Sequence, residues 1–142
     1  MEMNIEELVS FVLNAAFKVH TELGPGLLES VYETCLMHEV RKAGIPCQRQ
    51  IPFPVKYDGV ALDAGFRLDL LVGESLIVEV KAVEALLPIH KAQLMTYLRL
   101  SGRTLGLLIN FNEVHLKHGI TRVVLNHPEA SPCRRRPPAP ET

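Results

Sequence analysis

Two short apolar segments separated by a tight turn constrain the fold of this 142-residue chain more than any other feature. Residues 66–72 (FRLDLLV) and 76–83 (LIVEVKAV) each read as a β-strand, and Gly73-Glu74-Ser75 between them predicts a hairpin. Both segments also contain charged residues, which a buried strand accepts only at a cost unless the charges are paired. These charges therefore either lie on an exposed sheet edge or take part in chemistry.

The register predicted for this hairpin brings two acidic residues together. With the turn centred on its middle residue, Asp69 lies directly opposite Glu79, and Arg67 lies opposite Lys81. Because side chains alternate along a strand, Asp69, Glu79 and Lys81 share one face. Residues that face each other across two strands have Cβ atoms about 4.5–5.5 Å apart. A slip of one residue would place Val78 opposite Asp69, so the prediction depends on this turn.

Two facing carboxylates repel each other, and a partly buried pair stays ionised only if a cation lies between them. A divalent ion removes the repulsion, and Lys81 adds positive charge on the same face. Oxygen ligands without cysteine or a nearby histidine pair favour Mg²⁺ or Mn²⁺ over Zn²⁺. The alternative is an exposed pair of Glu79 and Lys81 on an edge strand, with Asp69 on the surface. The pattern Asp…Glu-x-Lys does not by itself exclude that alternative.

The remaining segments predict a mixed α/β domain, with a central sheet flanked by helices. Helices are predicted at residues 5–23, 28–43 and 88–100, and further strands at 51–57, 104–111 and 120–125. The two prolines of the segment 51–57 confine it to a sheet edge or an irregular strand.

The composition indicates one globular domain at residues 1–126, because 47% hydrophobic residues in a chain of this length supply a core. Residues 127–142 (HPEASPCRRRPPAPET) are rich in proline and arginine and predict a disordered tail. No apolar run approaches the roughly 20 residues that span a membrane. Three cysteines without a CxxC spacing suit a reducing cytoplasm. With a net charge of −1, a nucleic-acid partner would need a local basic surface.

Polar residues on two helices extend the set of candidates. Gly26, Glu29 and Tyr32 follow one another at three-residue spacing at the start of the second helix. Glu29 alternatively complements the helix dipole, and Tyr32 alternatively packs in the core. The third helix carries a polar stripe of His90, Gln93 and Tyr97. The alternative is that this stripe simply faces solvent.

In these motifs the sequence resembles the GxxExxY family, which is assigned to the PD-(D/E)XK nuclease superfamily. The resemblance runs from about Asn4 to Leu125, and Leu68 stands where many members have a proline. The matching residues are Gly26, Glu29, Tyr32, Asp69, Glu79, Lys81, Gln93 and Tyr97. The resemblance implies a restriction-endonuclease-like core of the α/β (α+β) class, with a central four-stranded mixed sheet flanked by helices.

The resemblance also implies a metal-dependent nuclease that hydrolyses phosphodiester bonds in DNA or another nucleic acid. The implied ligands of Mg²⁺ or Mn²⁺ are Asp69, Glu79, the carbonyl of Val80, and Glu29. Lys81 would orient or activate the attacking water and stabilise charge on the phosphate, while Gln93 and Tyr97 would position the water, the lysine or the substrate. Candidate substrate contacts are Tyr32, Arg49, Lys56, Arg67, His90 and Lys91, of which His90 is alternatively a plain surface histidine.

A second hypothesis is a catalytically idle protein that binds nucleic acid or a protein partner on the same fold. The intact Asp69, Glu79 and Lys81 favour the enzyme, whereas the small size and near-neutral charge favour the binding protein. A structural domain with an incidental ion pair is a third hypothesis. The proline-containing edge strand near Phe53 is a candidate surface for a homodimer.

Overall fold

The computed structural model describes residues 3–126. The helices are α1 (Ile5–Leu23), α2 (Glu29–Lys42) and α3 (Pro88–Ser101). The strands are β1 (Cys47–Tyr57), β2 (Val60–Val72), β3 (Leu76–Lys81), β4 (Leu105–Asn110) and β5 (Ile120–Val124), with a 3₁₀ turn at Leu116–Gly119. The predicted tail at residues 127–142 lies outside the described residues. Within the described part of the chain, no helix has the length and apolar character needed to cross a membrane.

The strands form one mixed sheet in the order β1-β2-β3-β4-β5. Strands β3 and β4 are parallel and are joined by the crossover helix α3, while the other neighbours are antiparallel. The α/β class and the helix-flanked sheet are therefore confirmed. The described sheet has five strands in place of the four that the resemblance implied. Strand β1 lies at an edge, as its prolines predicted.

Local signals in the sequence set the ends of the helices. The Asn4 side chain accepts a hydrogen bond from the Glu7 amide at 2.8 Å, and the Glu7 carboxylate accepts one from the Asn4 amide at 2.9 Å. This reciprocal capping box starts α1. The segment after α1 turns through Gly24 and Gly26, whose φ angles of 74° and 101° suit glycine.

The sheet separates two hydrophobic cores. Helices α1 and α2 cover one face, where they bury Val12, Leu36, Val78 and Leu107 among others. Helix α3 covers the other face with Leu94 and Leu98, which pack with Leu71, Ile77 and Leu108 of the sheet. Because β3 lies in the middle of the sheet, its side chains are buried on both faces up to Val80. The predicted acidic site thus lies on an enclosed central strand.

The ladder between β1 and β2 is interrupted beside Asp69, in addition to a register shift between Phe53 and Val55. Arg49 pairs with Leu70 and Ile51 pairs with Leu68, but Gln50 and Asp69 between them are unpaired. Leu70 packs in the core under α1 and α2, whereas Leu68, two residues earlier, packs in the core under α3. A regular strand would direct both leucines to the same face. Strand β2 therefore reverses its facing at Asp69.

Candidate active site

The hairpin between β2 and β3 has the register that the sequence predicts. Val72 pairs with Leu76 and Leu70 pairs with Val78. The Ser75 amide donates to the Val72 carbonyl at 3.2 Å, which closes the turn. The ladder ends at Leu70, so it contains neither the predicted strand pair of Asp69 with Glu79 nor that of Arg67 with Lys81. On the other side of β2, Arg67 pairs with Pro52 of β1.

Beyond the end of this ladder, side chains replace the backbone pairing. The Asp69 amide donates to Oε2 of Glu79 at 3.2 Å, and the Val80 amide donates to Oδ2 of Asp69 at 2.8 Å. Each carboxylate thus accepts a hydrogen bond from the strand that carries the other. The two acidic side chains meet at one point between β2 and β3, although β2 is irregular there and does not follow simple alternation.

Burial gives this acidic pair unusual protonation. Glu79 is 4% exposed, and burial, followed by the nearby Asp69 charge, raises its pKa to about 8. Burial is also the main reason that the pKa of Asp69 is raised, with a further contribution from the charge of Glu33. The positive charge of Lys81 acts in the opposite direction on both pKa values. Without a further cation, the pair therefore holds a proton at neutral pH.

Lys81 ends β3 beside Asn110 of β4, with its side chain partly exposed. Asn110 is fully buried, and its Oδ1 accepts from the Val83 amide while its Nδ2 donates to the Val83 carbonyl, both at 3.0 Å. These bonds tie the chain that follows β3 to the end of β4. Sequence reasoning missed Asn110, although a lone amide at the end of the apolar run LGLLIN was the available signal.

The start of α2 approaches the end of β3 through Glu29. Its Oε2 accepts from the Ala82 amide at 3.1 Å, one residue beyond Lys81. The Tyr32 hydroxyl donates to the Gly24 carbonyl at 2.6 Å and accepts from the Leu27 amide at 3.0 Å. Tyr32 has no exposed surface for a substrate to contact, which speaks against the predicted substrate contact and agrees with core packing. Its role here is to hold the loop that presents Glu29.

A second acidic residue of α2, Glu33, lies near the site and was missed by sequence reasoning. It is 4% exposed and binds Arg49 and Gln50 of β1 through its carboxylate. The signal was its position one turn after Glu29, next to the buried Tyr32. A helical glutamate is normally solvated, so this signal was weak.

Helix α3 contributes Tyr97 to the site. Burial, and then the charges of Glu79 and Asp69, raise the pKa of Tyr97, so its hydroxyl lies within electrostatic reach of the pair. The ring stacks on Phe66 at a centroid distance of 4.7 Å. The other predicted residues of α3 lie further towards solvent: Gln93 and Lys91 are exposed, and Nδ1 of His90 accepts from the Leu87 amide at 2.9 Å. Arg67 is also exposed.

The chemistry of these groups fits a small, hard cation. Asp69 and Glu79 present adjacent oxygens, and a cation between them would offset the repulsion of the two ionised carboxylates. Among the described residues there is no group of three His, Cys, Asp or Glu side chains able to hold a metal ion. Glu29 therefore does not complete such a group in this arrangement. Mg²⁺ suits this arrangement, because proteins often hold it by one or two carboxylates, with water and substrate phosphate completing the shell.

Comparison with known families agrees with this geometry. A model described as the PD-(D/E)XK nuclease superfamily matches residues 6–123, which is most of the chain. The chain belongs to the PD-(D/E)XK nuclease superfamily. Membership indicates a nuclease that acts on nucleic acid and typically uses a divalent metal. In this PD-(D/E)XK protein we expect the motif to be Asp69…Glu79-x-Lys81, with Leu68 in place of the proline. The comparisons with curated proteins and with solved structures gave no match.

Proposed function

We propose that this chain is a GxxExxY-type nuclease that hydrolyses phosphodiester bonds in DNA with Mg²⁺ or Mn²⁺. The observation that carries the proposal is the hydrogen-bonded pair of the half-buried Asp69 and the buried Glu79 beside Lys81. Such a pair destabilises a metal-free fold, since two acids in a poorly solvated place either repel each other as anions or must hold a proton. A site that binds a cation accounts for this cost.

The proposed metal ligands are Asp69 and Glu79, assisted by the Val80 carbonyl and by Glu29, directly or through water. Glu29 already accepts the Ala82 amide through one oxygen, which leaves its other oxygen for this purpose. When bound, the cation supplies polarisation of the phosphate and activation of the attacking water. These ligands come from α2, β2 and β3, so the site depends on the packing of all three elements.

The protein's own side chains supply the remaining chemistry. The Lys81 ammonium stabilises the negative charge that develops on the phosphate in the transition state. Tyr97, held by its stacking on Phe66, orients the water or the substrate strand from the α3 side of the sheet. Gln93 lies one turn earlier on the helix and is exposed. Exposed cations on neighbouring elements, Arg67 and Lys91, contact phosphates of the substrate and contribute binding without base specificity.

The test begins with metal binding. Mg²⁺ and Mn²⁺ are titrated calorimetrically into wild type and into Asp69→Ala, with Asp63→Asn, an exposed acid of β2, as the matched control. We expect wild type and the control to bind at millimolar ion concentrations or below, and Asp69→Ala to lose binding. Absence of binding in wild type would remove the mechanism.

The second stage is cleavage of single-stranded, double-stranded and branched DNA by the same variants. Cleavage by wild type and the Asp63→Asn control, lost in Asp69→Ala, supports the enzyme. One observation favours the alternative, an idle protein that binds nucleic acid or a protein partner: the described residues contain no three-ligand metal group. That alternative predicts DNA or protein binding without cleavage and without metal dependence.

Cys35 and Cys47 are both free thiols, which suits the proposed cytoplasmic location.

A further inference from the structure

The break in the β1–β2 ladder has a buried partner on α2. Glu33 uses both of its carboxylate oxygens on β1: Oε1 accepts from Nε of Arg49 at 2.9 Å, and Oε2 accepts from Nε2 of Gln50 at 2.8 Å. A second guanidinium nitrogen of Arg49 lies 2.8 Å from the same Oε1. One buried side chain thus holds two consecutive residues of the edge strand. Hydrogen bonds that involve charged groups are among the stronger ones in proteins.

Gln50 has a backbone conformation that glutamine seldom adopts. Its φ is 51°, in the left-handed region that favours glycine. A non-glycine residue persists there when its surroundings hold it, and such residues cluster at functional sites. Gln50 also lies opposite Asp69, at the point where β2 reverses its facing. The unusual conformation and the reversal therefore belong to one local distortion.

This distortion takes Asp69 out of the ladder and places it against β3. In a regular strand Asp69 would pair with Gln50, whereas here its carboxylate accepts the Val80 amide and its own amide donates to Glu79. We propose that Glu33 is a positioning residue: by holding Arg49 and Gln50 it keeps Asp69 out of the β1–β2 ladder, with its carboxylate on Val80. The proposal deepens the proposed function, since it makes Glu33 a determinant of metal affinity.

Glu33 acts through β1 and is not itself a metal ligand, because both of its oxygens are occupied by β1 side chains. A purely electrostatic effect is the competing explanation, since removal of its charge leaves Arg49 unpaired near the site. Gln50→Ala separates the two, because it changes no charge. Alanine remains strained at the positive φ, and the substitution removes the side chain that binds Glu33.

The experiment compares wild type, Glu33→Gln and Gln50→Ala, with Glu39→Gln as the matched control. Glu39 lies on the same helix and also forms ion pairs, with Lys18 at 3.2 Å and Lys42 at 3.5 Å. Amide hydrogen exchange of Val80 is measured by NMR in metal-free protein, with the Val78 amide of the same strand as an internal reference. Mg²⁺ affinity is then measured by calorimetry.

We expect the Val80 amide to exchange at least about tenfold faster in both site variants, with Val78 unchanged. The Kd for Mg²⁺ should rise about 10- to 100-fold in both, which is the usual effect of losing a residue that supports a metal ligand. Glu39→Gln should match wild type. Retained Val80 protection in Gln50→Ala overturns the proposal, and so does an unchanged Kd for Mg²⁺ in that variant.

The two proposals fail in different ways. If wild type binds no Mg²⁺, the proposed function fails, and the exchange of the Val80 amide alone decides whether Glu33 positions Asp69. If Glu33→Gln does not fold, Gln50→Ala gives the decision, since it leaves the ion pair of Glu33 and Arg49 in place. Faster exchange in Glu33→Gln with normal exchange in Gln50→Ala shows that Glu33 does not act through Gln50, and refutes the proposal.

Discussion

The replacement Glu79→Gln should stabilise the metal-free protein in alkaline solution. The pKa of Glu79 rises from 4.5 to about 8 on folding, chiefly through burial. Below the unfolded-state pKa of 4.5, Glu79 is protonated in both the folded and the unfolded protein, so it does not change the free energy of unfolding. As the pH rises towards 8, the unfolded chain ionises while the folded chain keeps its proton, so the free energy of unfolding falls. At about 1.4 kcal/mol per pKa unit, the full loss is about 5 kcal/mol.

The substituted glutamine carries no charge, and its side-chain oxygen can still accept the Asp69 amide. We therefore expect Glu79→Gln to match wild type near pH 4.5, and to exceed its free energy of unfolding by up to about 5 kcal/mol above about pH 8. Urea unfolding in EDTA across this pH range measures the difference. Glu84→Gln, which removes an exposed charge just beyond β3, is the control and should follow wild type within about 0.5 kcal/mol.

Addition of Mg²⁺ is a second test of the stability cost of Glu79. A ligand that binds the folded state stabilises it by mass action. Millimolar Mg²⁺ should therefore raise the stability of wild type above about pH 8 and leave that of Glu79→Gln unchanged. Parallel pH profiles for wild type and Glu79→Gln in EDTA would refute the argument, since they would show that Glu79 keeps an ordinary pKa when the protein folds.

Three further replacements test other parts of the site. Lys81→Ala should retain Mg²⁺ binding in calorimetry while cleavage falls about 10²–10³-fold; loss of metal binding would contradict the division of roles. Tyr32→Phe should lower the free energy of unfolding by about 1–3 kcal/mol in urea, because two hydrogen bonds to the loop before α2 are lost. The exposed Tyr57→Phe should change it by less than about 0.5 kcal/mol, and equal effects would exclude a special role for Tyr32. Asn110→Ala should lower the free energy of unfolding by about 2–4 kcal/mol and slow cleavage, because the backbone of Val83 loses both of its hydrogen bonds to that side chain. Unaltered hydrogen exchange of the Val83 amide would disprove this.

The fold and the acidic pair could be predicted from local rules. A three-residue turn between apolar segments set the β2–β3 register, and two prolines placed β1 at an edge. The irregular part could not be predicted. Glutamine has no preference for positive φ, so nothing in the sequence marks Gln50 as the point where the ladder breaks. The role of Glu33 could not be predicted for a similar reason, because its burial depends on two β1 residues that lie 16 and 17 positions further along the chain.

The alignment of β2 with β3 also determines which part of the β1–β2 hairpin can change in length without moving the acidic pair. Strand β3 pairs with residues 70–72 of β2, whereas β2 itself begins at Val60. The distal end of this hairpin exposes Tyr57, Val60 and Leu62 to solvent. Since the turn at residues 73–75 sets the alignment from the opposite end, lengthening or shortening the distal tip shifts no residue of β3. A change in the length of this tip therefore leaves Asp69 and Glu79 in place.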